Sequence, residues 1–462
     1  MSNNIRFVKF STLYNWDVKQ FVESSSIYTD NLKIVPFKQF ARPASLNRIH
    51  IQDDEDYKIL GVRSYGFGAY VNRKVKGKSL KMKVYQQVKS NHLYWCKVDT
   101  KNGAFGIITE EISDGVASSN MTLAELDLSV INPDFLQIFF KSKKFNEYMD
   151  SFVTGTTNRK YIRPSQIFED IKIPLPPLND EDAKIKSISN EITQKKLVDS
   201  YFKKIEEAEI AKINAQDTEK KIEEYLFEEL GINEINHRDS NYGLSFIRFK
   251  NLTKWSVNDI SKKALLNSSI YPNKKLKDVV EINPTTSFLK FDTETETAFI
   301  PMVNISDIEG KVIKYNKGYV GKSKGYTKFI DGDLLWARIT PCMENGKSAI
   351  VNNMPNNIGY GSTEYHIIRS NDETFLEYIH FLLRLNLVLQ DAKLHFTGSA
   401  GQQRVPKSYL ENLEIPIPPS NIQETIVKTI IKLKEDIKSY RSLESSLRKD
   451  ALWDFEKKIF KN

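Results

Sequence analysis

The proline-rich phrase IKIPLPPL, residues 171–178, occurs a second time as LEIPIPP, residues 413–419. The first prolines of the two phrases, Pro174 and Pro416, are 242 positions apart. Proline fixes its own φ and disfavours a helical conformation for the residue before it, so each phrase predicts a stiff, extended segment. A long helical pattern follows each phrase. The 462-residue chain is also too long for one ordinary core, so we expect one structural unit to occur twice.

Other strings in the two halves support a duplication. Leu32-Lys-Ile-Val35 resembles Leu276-Lys-Asp-Val279, and TGTTNRKYIRP (154–164) resembles TGSAGQQRVP (397–406). Each of the last two strings ends at a proline that lies ten residues before Pro174 or Pro416. Because the order of these landmarks is kept, the pattern indicates divergent duplication and not low complexity.

Each half begins with a region of mixed character. Short β-rich runs such as 94–98 and 365–368 are separated by turn residues, and helical patterns occur at 135–149 and 375–389. The predicted fold class is therefore α+β, with two tandem mixed α/β domains, each followed by a long α-helix.

The two long helices are predicted from apolar residues at steps of three and four. The first begins at Asn179 or Asp180 and stops at Gly231, and the second begins at Ser420 or Asn421. Their narrow apolar seams are typical of a coiled coil. The seams either pair with each other or dock on another protein chain. The candidate residues for helix pairing or partner docking are Ile185, Ile188, Ile192, Ile426, Leu433 and Ile437.

The predicted domain boundaries follow from these patterns. The four segments are a first mixed domain at 1–178, a central long-helix spacer at 179–238, a second mixed domain at 239–419 and a C-terminal long helix at 420–462.

The charge of the chain favours an anionic partner. The formal net charge is +8 and the pI is near 9.0. Residues 180–230 carry 14 acidic and 9 basic side chains, and residues 420–462 carry 7 acidic and 10 basic ones. The excess positive charge therefore lies on the mixed domains, as expected for a nucleic-acid footprint. The alternative is a basic surface without such a partner.

Several classes of protein are disfavoured by the sequence. The two cysteines, Cys96 and Cys342, have no metal-ligand spacing, and the N-terminal sequence MSNNIRFVKF lacks the apolar core of a signal peptide. A cytoplasmic location without membrane association is the expectation. The Gly-Lys-Ser tripeptides lack the preceding glycine of a phosphate-binding loop. The Asp331-Gly-Asp333 pair is more typical of a turn than of a metal site.

Two duplicated polar loops are candidate DNA-contacting segments. Asn and Gln can read adenine, Arg and Lys can read guanine, and Ser or Thr can hold phosphates. A solvated turn is the alternative for each residue. The candidates in these loops are Thr156, Asn158, Arg159, Lys160, Gln402, Gln403 and Arg404. Further candidates outside them are Arg63, Tyr65, Arg338, Asn345 and Lys347. We identify no catalytic residue and no metal ligand.

Two variable regions, each ending in an IPLPP-type phrase and a long helix, resemble the specificity subunit of type I restriction-modification systems. The string DGDLLWARITP (331–341), followed by ENGK (344–347) and GYGSTE (359–364), is similar to a stretch in that family's target-recognition domains. The resemblance implies two target-recognition domains, helices paired antiparallel with pseudo-twofold symmetry, and a bipartite site on double-stranded DNA.

The resemblance also implies partners. Two methyltransferase subunits would methylate adenine with S-adenosylmethionine, and motor-nuclease subunits would use ATP and Mg²⁺, so no cofactor is expected in this chain. It would be a non-catalytic subunit that directs adenine methylation and restriction. Two other functions stay open on the sequence alone: a self-contained DNA-modifying enzyme with unfamiliar motifs, and a scaffold with incidental basic faces.

Overall fold

The computed structural model describes residues 27–45, 47–97, 100–150, 162, 164–186, 192–232, 265–370, 372–399 and 402–461. The chain divides into two compact units. The first unit is Met1–Lys212 together with Ser442–Asn462, and the second unit is Ile213–Arg441. Each long helix contributes one part to each unit.

The described part of the first unit combines short strands with short helices. Its strands are β1 (Ile34–Pro36), β2 (Ala41–Pro43), β3 (Arg48–His50), β4 (Asp56–Arg63), β5 (Gly68–Lys76), β6 (Val84–Gln87), β7 (Leu93–Cys96), β8 (Phe105–Ile107), β9 (Val116–Ala117), β10 (Met121–Leu126) and β11 (Lys172–Pro174). Its helices are α1 (Pro133–Phe140), α2 (Lys143–Asp150), α3 (Pro164–Glu169), α4 (Asp180–Ile185) and the beginning of α5 (Gln194–Leu230).

Apart from β3 and α4, which have no counterpart there, the described elements of the first unit recur in the second unit in the same order. Its strands are β12 (Asn273–Lys275), β13 (Glu281–Ile282), β14 (Glu296–Ile300), β15 (Asn316–Tyr319), β16 (Thr327–Ile330), β17 (Leu334–Ala337), β18 (Ser348–Ile350), β19 (Ile358–Gly361), β20 (Tyr365–Arg369) and β21 (Glu414–Pro416). Its helices are α6 (Glu373–Leu383), α7 (Asn386–Leu394), α8 (Lys407–Asn412) and the beginning of α9 (Ser420–Ile459).

The sheet topology repeats between the units. One sheet has the order β2-β10-β7-β8 in the first unit and β13-β20-β17-β18 in the second. The other has the order β3-β6-β9-β4-β5 in the first and β16-β19-β14-β15 in the second, where β3 has no counterpart. In both units this sheet contains one parallel pair, β4 with β9 and β14 with β19. The predicted α+β duplication is therefore confirmed.

The proline-rich phrases are extended, as predicted, and each closes its unit. β11 pairs antiparallel with β1, where Pro174 lies opposite Ile34, and β21 pairs with β12, where Pro416 lies opposite Asn273. A buried apolar residue follows each opening strand, Phe37 after β1 and Leu276 after β12. The string comparison that placed Leu32 beside Leu276 is therefore wrong by five residues.

The helical patterns at 135–149 and 375–389 each form two helices and not one. In the first unit Ser142 separates α1 from α2, and its Oγ accepts a hydrogen bond from Phe145 N at 3.4 Å. A hydroxyl that accepts from the backbone in this way favours the start of a new helix over continuation of the old one.

The first long helix starts later than predicted. Asn179 caps only the short helix α4, where its Oδ1 accepts from Asp182 N at 2.9 Å. The long helix α5 begins at Gln194, and Thr193 Oγ1 accepts from Lys196 N. Its predicted end is confirmed, because Leu230 is its last residue and Gly231 has a φ of +60°.

A buried glutamine ties each long helix to its proline-rich phrase. Gln194 Nε2 donates to Pro176 O at 2.8 Å, and Gln423 Nε2 donates to Pro418 O at 2.8 Å. Gln194 also donates to Val130 O at 3.0 Å and accepts from Asn132 N at 2.7 Å. The same bond spans 18 residues in the first unit and 5 in the second. Insertion of α4 therefore moved the helix start and left the junction intact.

The two long helices pair antiparallel within each unit. In the first unit Lys204 Nζ lies 2.6 Å from Asp454 and Arg448 Nη2 lies 2.8 Å from Glu209. In the second unit an ion pair joins Glu219 to Arg441. Partner numbers rise on one helix as they fall on the other, as antiparallel pairing requires. The predicted helix pairing is confirmed, with 37 residues in α5 and 40 in α9.

The final turns of α9 belong to the core of the first unit. Phe455 and Phe460 are buried in the same aromatic cluster as Trp95 and Phe139. The ring centroids of Phe139 and Phe460 are 5.6 Å apart. Burying such a ring contributes about 1.5–3 kcal/mol, so the end of α9 supports the first unit directly.

Candidate nucleic-acid interface

Two loops of the second unit form one polar cluster, which we call the 338/404 cluster. It comprises residues 338–347, after β17, and residues 397–399 and 402–405, before α8. Thr340 N donates to Gln403 O at 3.1 Å, and Val405 N donates to Arg338 O at 2.8 Å. The structure thus brings together the candidates Arg338, Gln403 and Arg404, which are far apart in sequence.

Glu364 organises the cations of this cluster. Arg404 Nε and Nη2 donate to its two carboxylate oxygens at 2.8 and 2.7 Å, and Arg404 Nη1 donates to Gln402 O at 2.7 Å. These bonds lower the pKa of Glu364, so its carboxylate is charged at neutral pH. Arg404 therefore uses three of its five N–H donors on Glu364 and Gln402 and keeps two for a ligand.

Arg338 has more free bonding capacity. Its Nε lies 3.6 Å from Glu364 Oε2, which is too long for a hydrogen bond. This buried atom has no hydrogen-bond partner among the residues that the structure describes. A buried donor without a partner lowers the stability of the fold, so an acceptor on a ligand would stabilise Arg338 by pairing with its Nε.

Arg338 lies on a small polar cleft of about 330 Å³. Lys328 supplies a second cation, whose Nζ lies 5.0 Å above the ring of Phe288. The described lining contains no acidic side chain and includes the hydroxyls of Thr286 and Tyr326. Cations with hydroxyl donors and no carboxylate are suited to a phosphate.

The two remaining candidates of the second unit lie on the same loop. Asn345 is exposed, whereas Lys347 is half-buried and its Nζ donates to Met302 O at 3.3 Å. Asn345 is therefore accessible to a ligand, whereas Lys347 is bonded to the loop that contains Met302.

Two candidates of the first unit lie at the hairpin of β4 and β5, Arg63 as the last residue of β4 and Tyr65 in the turn. The guanidinium carbon of Arg63 lies 4.6 Å from the ring centroid of Tyr70, and Tyr65 is exposed. The duplicated loop of this unit lies outside the described residues, and with it the candidates Thr156, Asn158, Arg159 and Lys160.

The helix-pairing candidates fall into three groups. Ile426 and Ile437 are buried and Leu433 is half-buried on α9. Ile192 packs against the core of the first unit, just before α5. Ile185 ends α4 with 83% of its side chain exposed, so it does not continue the seam of the long helix, and Ile188 lies outside the described residues.

A larger cavity of about 1,410 Å³ lies within the second unit. Its lining carries five glutamates and six lysines or arginines. Burial lowers the pKa of Lys434, one of these cations, to about 8, and the nearby Arg384 and Lys311 act in the same direction. This balance of charges is less suited to a polyanion than the cleft at Arg338.

Glu364, Lys328 and the two glutamines of the helix junctions were not among the sequence candidates. Glu364 ends the string GYGSTE, but a lone acid in a loop does not reveal which arginine it holds. Gln423 lies close to the second phrase, so its hydrogen bond to that phrase could have been predicted. Gln194 lies 18 residues after Pro176, so its equivalent bond could not.

Asp331 and Asp333 do not form a metal site with each other. Asp333 is buried and bonded to Arg369, and Asp331 Oδ1 accepts from Met354 N at 3.1 Å. Among the described residues no three or more His, Cys, Asp or Glu side chains are grouped so as to hold a metal ion. In the same part of the chain, no helix combines the length and hydrophobicity needed to span a bilayer.

Comparison with known proteins points in one direction. The family model described as type I restriction modification DNA specificity domain matches residues 268–445. The specificity subunit of the type I restriction enzyme EcoEI of Escherichia coli is 40% identical over 160 residues, which are 34% of this chain and 27% of that protein. The EcoAI specificity subunit of the same organism is 40% identical over 154 residues, which are 33% and 26%. The match spans about a quarter of the length of these relatives.

A solved structure from a study of complex assembly and conformational transition of the type I R-M system shares the fold. Its TM-score is 0.56 at 12% identity, over 93% of this chain and 97% of that one. The similarity covers both units, whereas the family model falls on the second. The chain therefore shares the fold of that structure, and its residues 268–445 match the type I restriction modification DNA specificity domain.

Proposed function

We propose that the chain is the non-catalytic DNA-specificity subunit of a type I restriction-modification complex. Each unit reads one short part of a bipartite site on double-stranded DNA. The observation that carries this proposal is the sheet topology that the two units share. Two units with one strand order, each with cations on exposed loops, are suited to two separated half-sites on a duplex.

The 338/404 cluster and Lys328 supply the contacts of the second unit. Arg338 and Lys328 bind phosphate in the cleft between them, whose lining among the described residues carries no carboxylate. The two free donors of Arg404, together with exposed Asn345 and Gln402, are available for base edges. The excess of positive charge outside the long helices supports the same assignment.

The partners are two methyltransferase subunits and motor-nuclease subunits. S-adenosylmethionine, ATP and Mg²⁺ belong to those chains, and the specificity subunit directs their adenine methylation and restriction. Exposed apolar side chains on the paired helices of the first unit support docking of a protein partner. They are Phe202, Ile210, Leu443 and Trp453.

The test is selection of bound duplexes from a random pool by the chain assembled with its methyltransferase subunits. We expect a consensus split into two short parts with an unread spacer. A single uninterrupted consensus, or none, contradicts the proposal. Methyl transfer or cleavage by the purified chain alone would instead favour a self-contained enzyme, and binding that does not weaken with salt would favour a scaffold.

Single substitutions separate phosphate contacts from base contacts. Arg338→Ala is expected to weaken all duplexes alike and to reduce the salt slope of binding by about one phosphate contact. Arg404→Ala is expected to cost about 1–3 kcal/mol and to relax the consensus at one position. Lys428→Ala, on an exposed face of α9, is the matched control for loss of a cation. An unchanged consensus removes Arg404 from the reading residues.

A further inference from the structure

The turn between β4 and β5 presents two aromatic rings to solvent. Tyr65 is 58% exposed and Phe67 is 65% exposed. Two large exposed rings within one four-residue turn form an unusual surface, because such side chains ordinarily contribute to a core.

The backbone of this turn is held firmly. Tyr65 N donates to Asn102 O at 2.7 Å, and Gly66 N donates to Gly103 O at 2.8 Å. Gln137 Nε2 donates to Gly66 O at 2.7 Å. A Cβ at Gly66 would lie 2.2 Å from the carbonyl carbon of Phe140, so only glycine fits there. The rings therefore project from a fixed platform.

The backbone conformation of Tyr65 is unfavourable for a tyrosine. Its φ is +57°, a left-handed conformation that bulky residues seldom adopt and that glycine or asparagine adopts readily. Its exposed ring recovers little by burial. Strain at an exposed aromatic residue points to a role in binding.

One cation lies beside the turn, and three more lie towards the far end of β5. Arg63 lies beside the turn over the ring of Tyr70, and the strand leaving the turn carries exposed Arg73, Lys74 and Lys76. None of these three forms a salt bridge with another residue that the structure describes. The charge complements a polyanion, and the rings complement the faces of nucleobases.

We propose that Tyr65 and Phe67 act as an apolar wedge that enters a base-pair step of the duplex held by the first unit. This inference rests on the proposed function. Arg63 and the cations of β5 hold the phosphates of the same duplex. Opening a step is easiest at flexible pyrimidine–purine steps, so the wedge reads DNA through its deformability and not through base edges.

The experiment uses the full chain with its methyltransferase subunits and duplexes carrying its selected site. 2-Aminopurine replaces single bases in and beside the half-site of the first unit, with the methylated adenines left out. We expect fluorescence to rise at one step on binding, and a TA or CA step to be preferred there. Phe67→Ala is expected to remove the rise and lower affinity about ten-fold.

Two further variants separate the wedge from a folding effect. Tyr65→Asn suits the left-handed backbone, so its thermal unfolding should be unchanged while the fluorescence rise is reduced. Leu128→Ala removes a side chain of the same unit that is 49% exposed and lies outside the turn, and should leave the rise intact.

The outcomes are distinguishable. A wild-type complex without a rise at any position, or an equal rise in Phe67→Ala, overturns the wedge. Loss of methyltransferase association in Phe67→Ala with the rise retained also overturns it and assigns the turn to a protein partner. Absence of a split consensus, by contrast, is failure of the proposed function and is seen before these variants are made.

Discussion

Equivalent strand ends in the two units carry a basic and an acidic residue in opposite order. Leu93 pairs with Ala124 in the first unit, as Leu334 pairs with Ile368 in the second. The residues just outside these pairs are His92 and Glu125 in the first unit, and Asp333 and Arg369 in the second. The base lies on the first strand in one unit, and the acid lies there in the other.

Asp333 and Arg369 form an ion pair in the second unit, whereas the ion-pair partner of Glu125 in the first unit is Arg42, at 2.8 Å. Asp333 is buried and receives two hydrogen bonds of 2.7 Å from Arg369, and these bonds raise the pKa of the Arg369 guanidinium. Burial lowers the pKa of His92, against the opposing effect of Glu125, so this histidine is largely neutral at neutral pH. The duplication has therefore preserved the strand order, and not the particular interaction at its edge.

The largest expected effect is at the buried pair of the second unit. Asp333→Asn leaves Arg369 without its charged partner and should cost about 3–5 kcal/mol of the free energy of unfolding. Hydrogen–deuterium exchange should show the loss in peptides of β17 and β20. Glu125→Gln, at the equivalent site of the first unit, is the control and should change protection little. An equal loss of protection in the two variants would contradict the difference between these two sites.

Acid should also destabilise the second unit through His366. This buried ring faces Trp336, whereas Thr122 occupies the equivalent position beside Trp95. Burial lowers the pKa of His366 to about 4. The unfolded chain binds a proton below about pH 6.5 and the folded chain does not, so stability is full above pH 6.5 and falls by ~3 kcal/mol towards pH 4.

The measurement is urea unfolding between pH 4 and pH 7, read by exchange of second-unit peptides. His366→Gln removes the contribution of this ring and should reduce the dependence by ~3 kcal/mol. Burial also lowers the pKa of His380 in the same unit, so part of the dependence should stay in the variant. A pH profile that is the same in the variant and the wild type would contradict the assignment to His366.

The helix junctions should differ in strength by their number of hydrogen bonds. Gln194→Leu leaves the carbonyls of Val130 and Pro176 and the N–H of Asn132 unpaired, with an expected cost of about 2–3 kcal/mol. Gln423→Leu frees one carbonyl, that of Pro418, and should cost about 1 kcal/mol. Thermal unfolding of the two variants tests this order, and a larger loss in Gln423→Leu would reverse it.

The smallest effects are expected at the ion pairs between the long helices. Arg448→Ala in the first unit and Arg441→Ala in the second each remove a half-exposed pair, worth about 0–1 kcal/mol. Both losses should shrink at 1 M salt, in a comparison of unfolding free energies at low and high salt. A loss that is insensitive to salt would indicate packing by the arginine stems instead.

The sequence was sufficient for features that depend on local chemistry. The stiff phrases, the end of α5 at Gly231, the seams of α9 and the duplication follow from proline, glycine and apolar spacing, which act over a few residues. The start of α5 was predicted too early, because Asn179 caps a helix of six residues that the apolar pattern does not distinguish from the long one.

Features set by distant contacts were beyond the sequence. Arg404 was predicted to contact a base. Its bidentate hydrogen bond to Glu364 joins residues 40 positions apart and therefore forms only in the folded chain. Lys328 and the cleft at Arg338 likewise depend on strands that meet only in the folded chain. In the sequence, Tyr65 and Phe67 belong to an ordinary turn. Only the structure shows the left-handed backbone of Tyr65 and the exposure of both rings.

The packing of the last turns of α9 sets the order in which the two units can be completed during synthesis. The second unit is one continuous stretch, so its core residues leave the ribosome before residues 442–461 do. The first unit must wait for Phe455 and Phe460, which fill its aromatic cluster. A product that terminates before residue 442 would hold a finished second unit and an open first one, with apolar surface that invites chaperones and proteases.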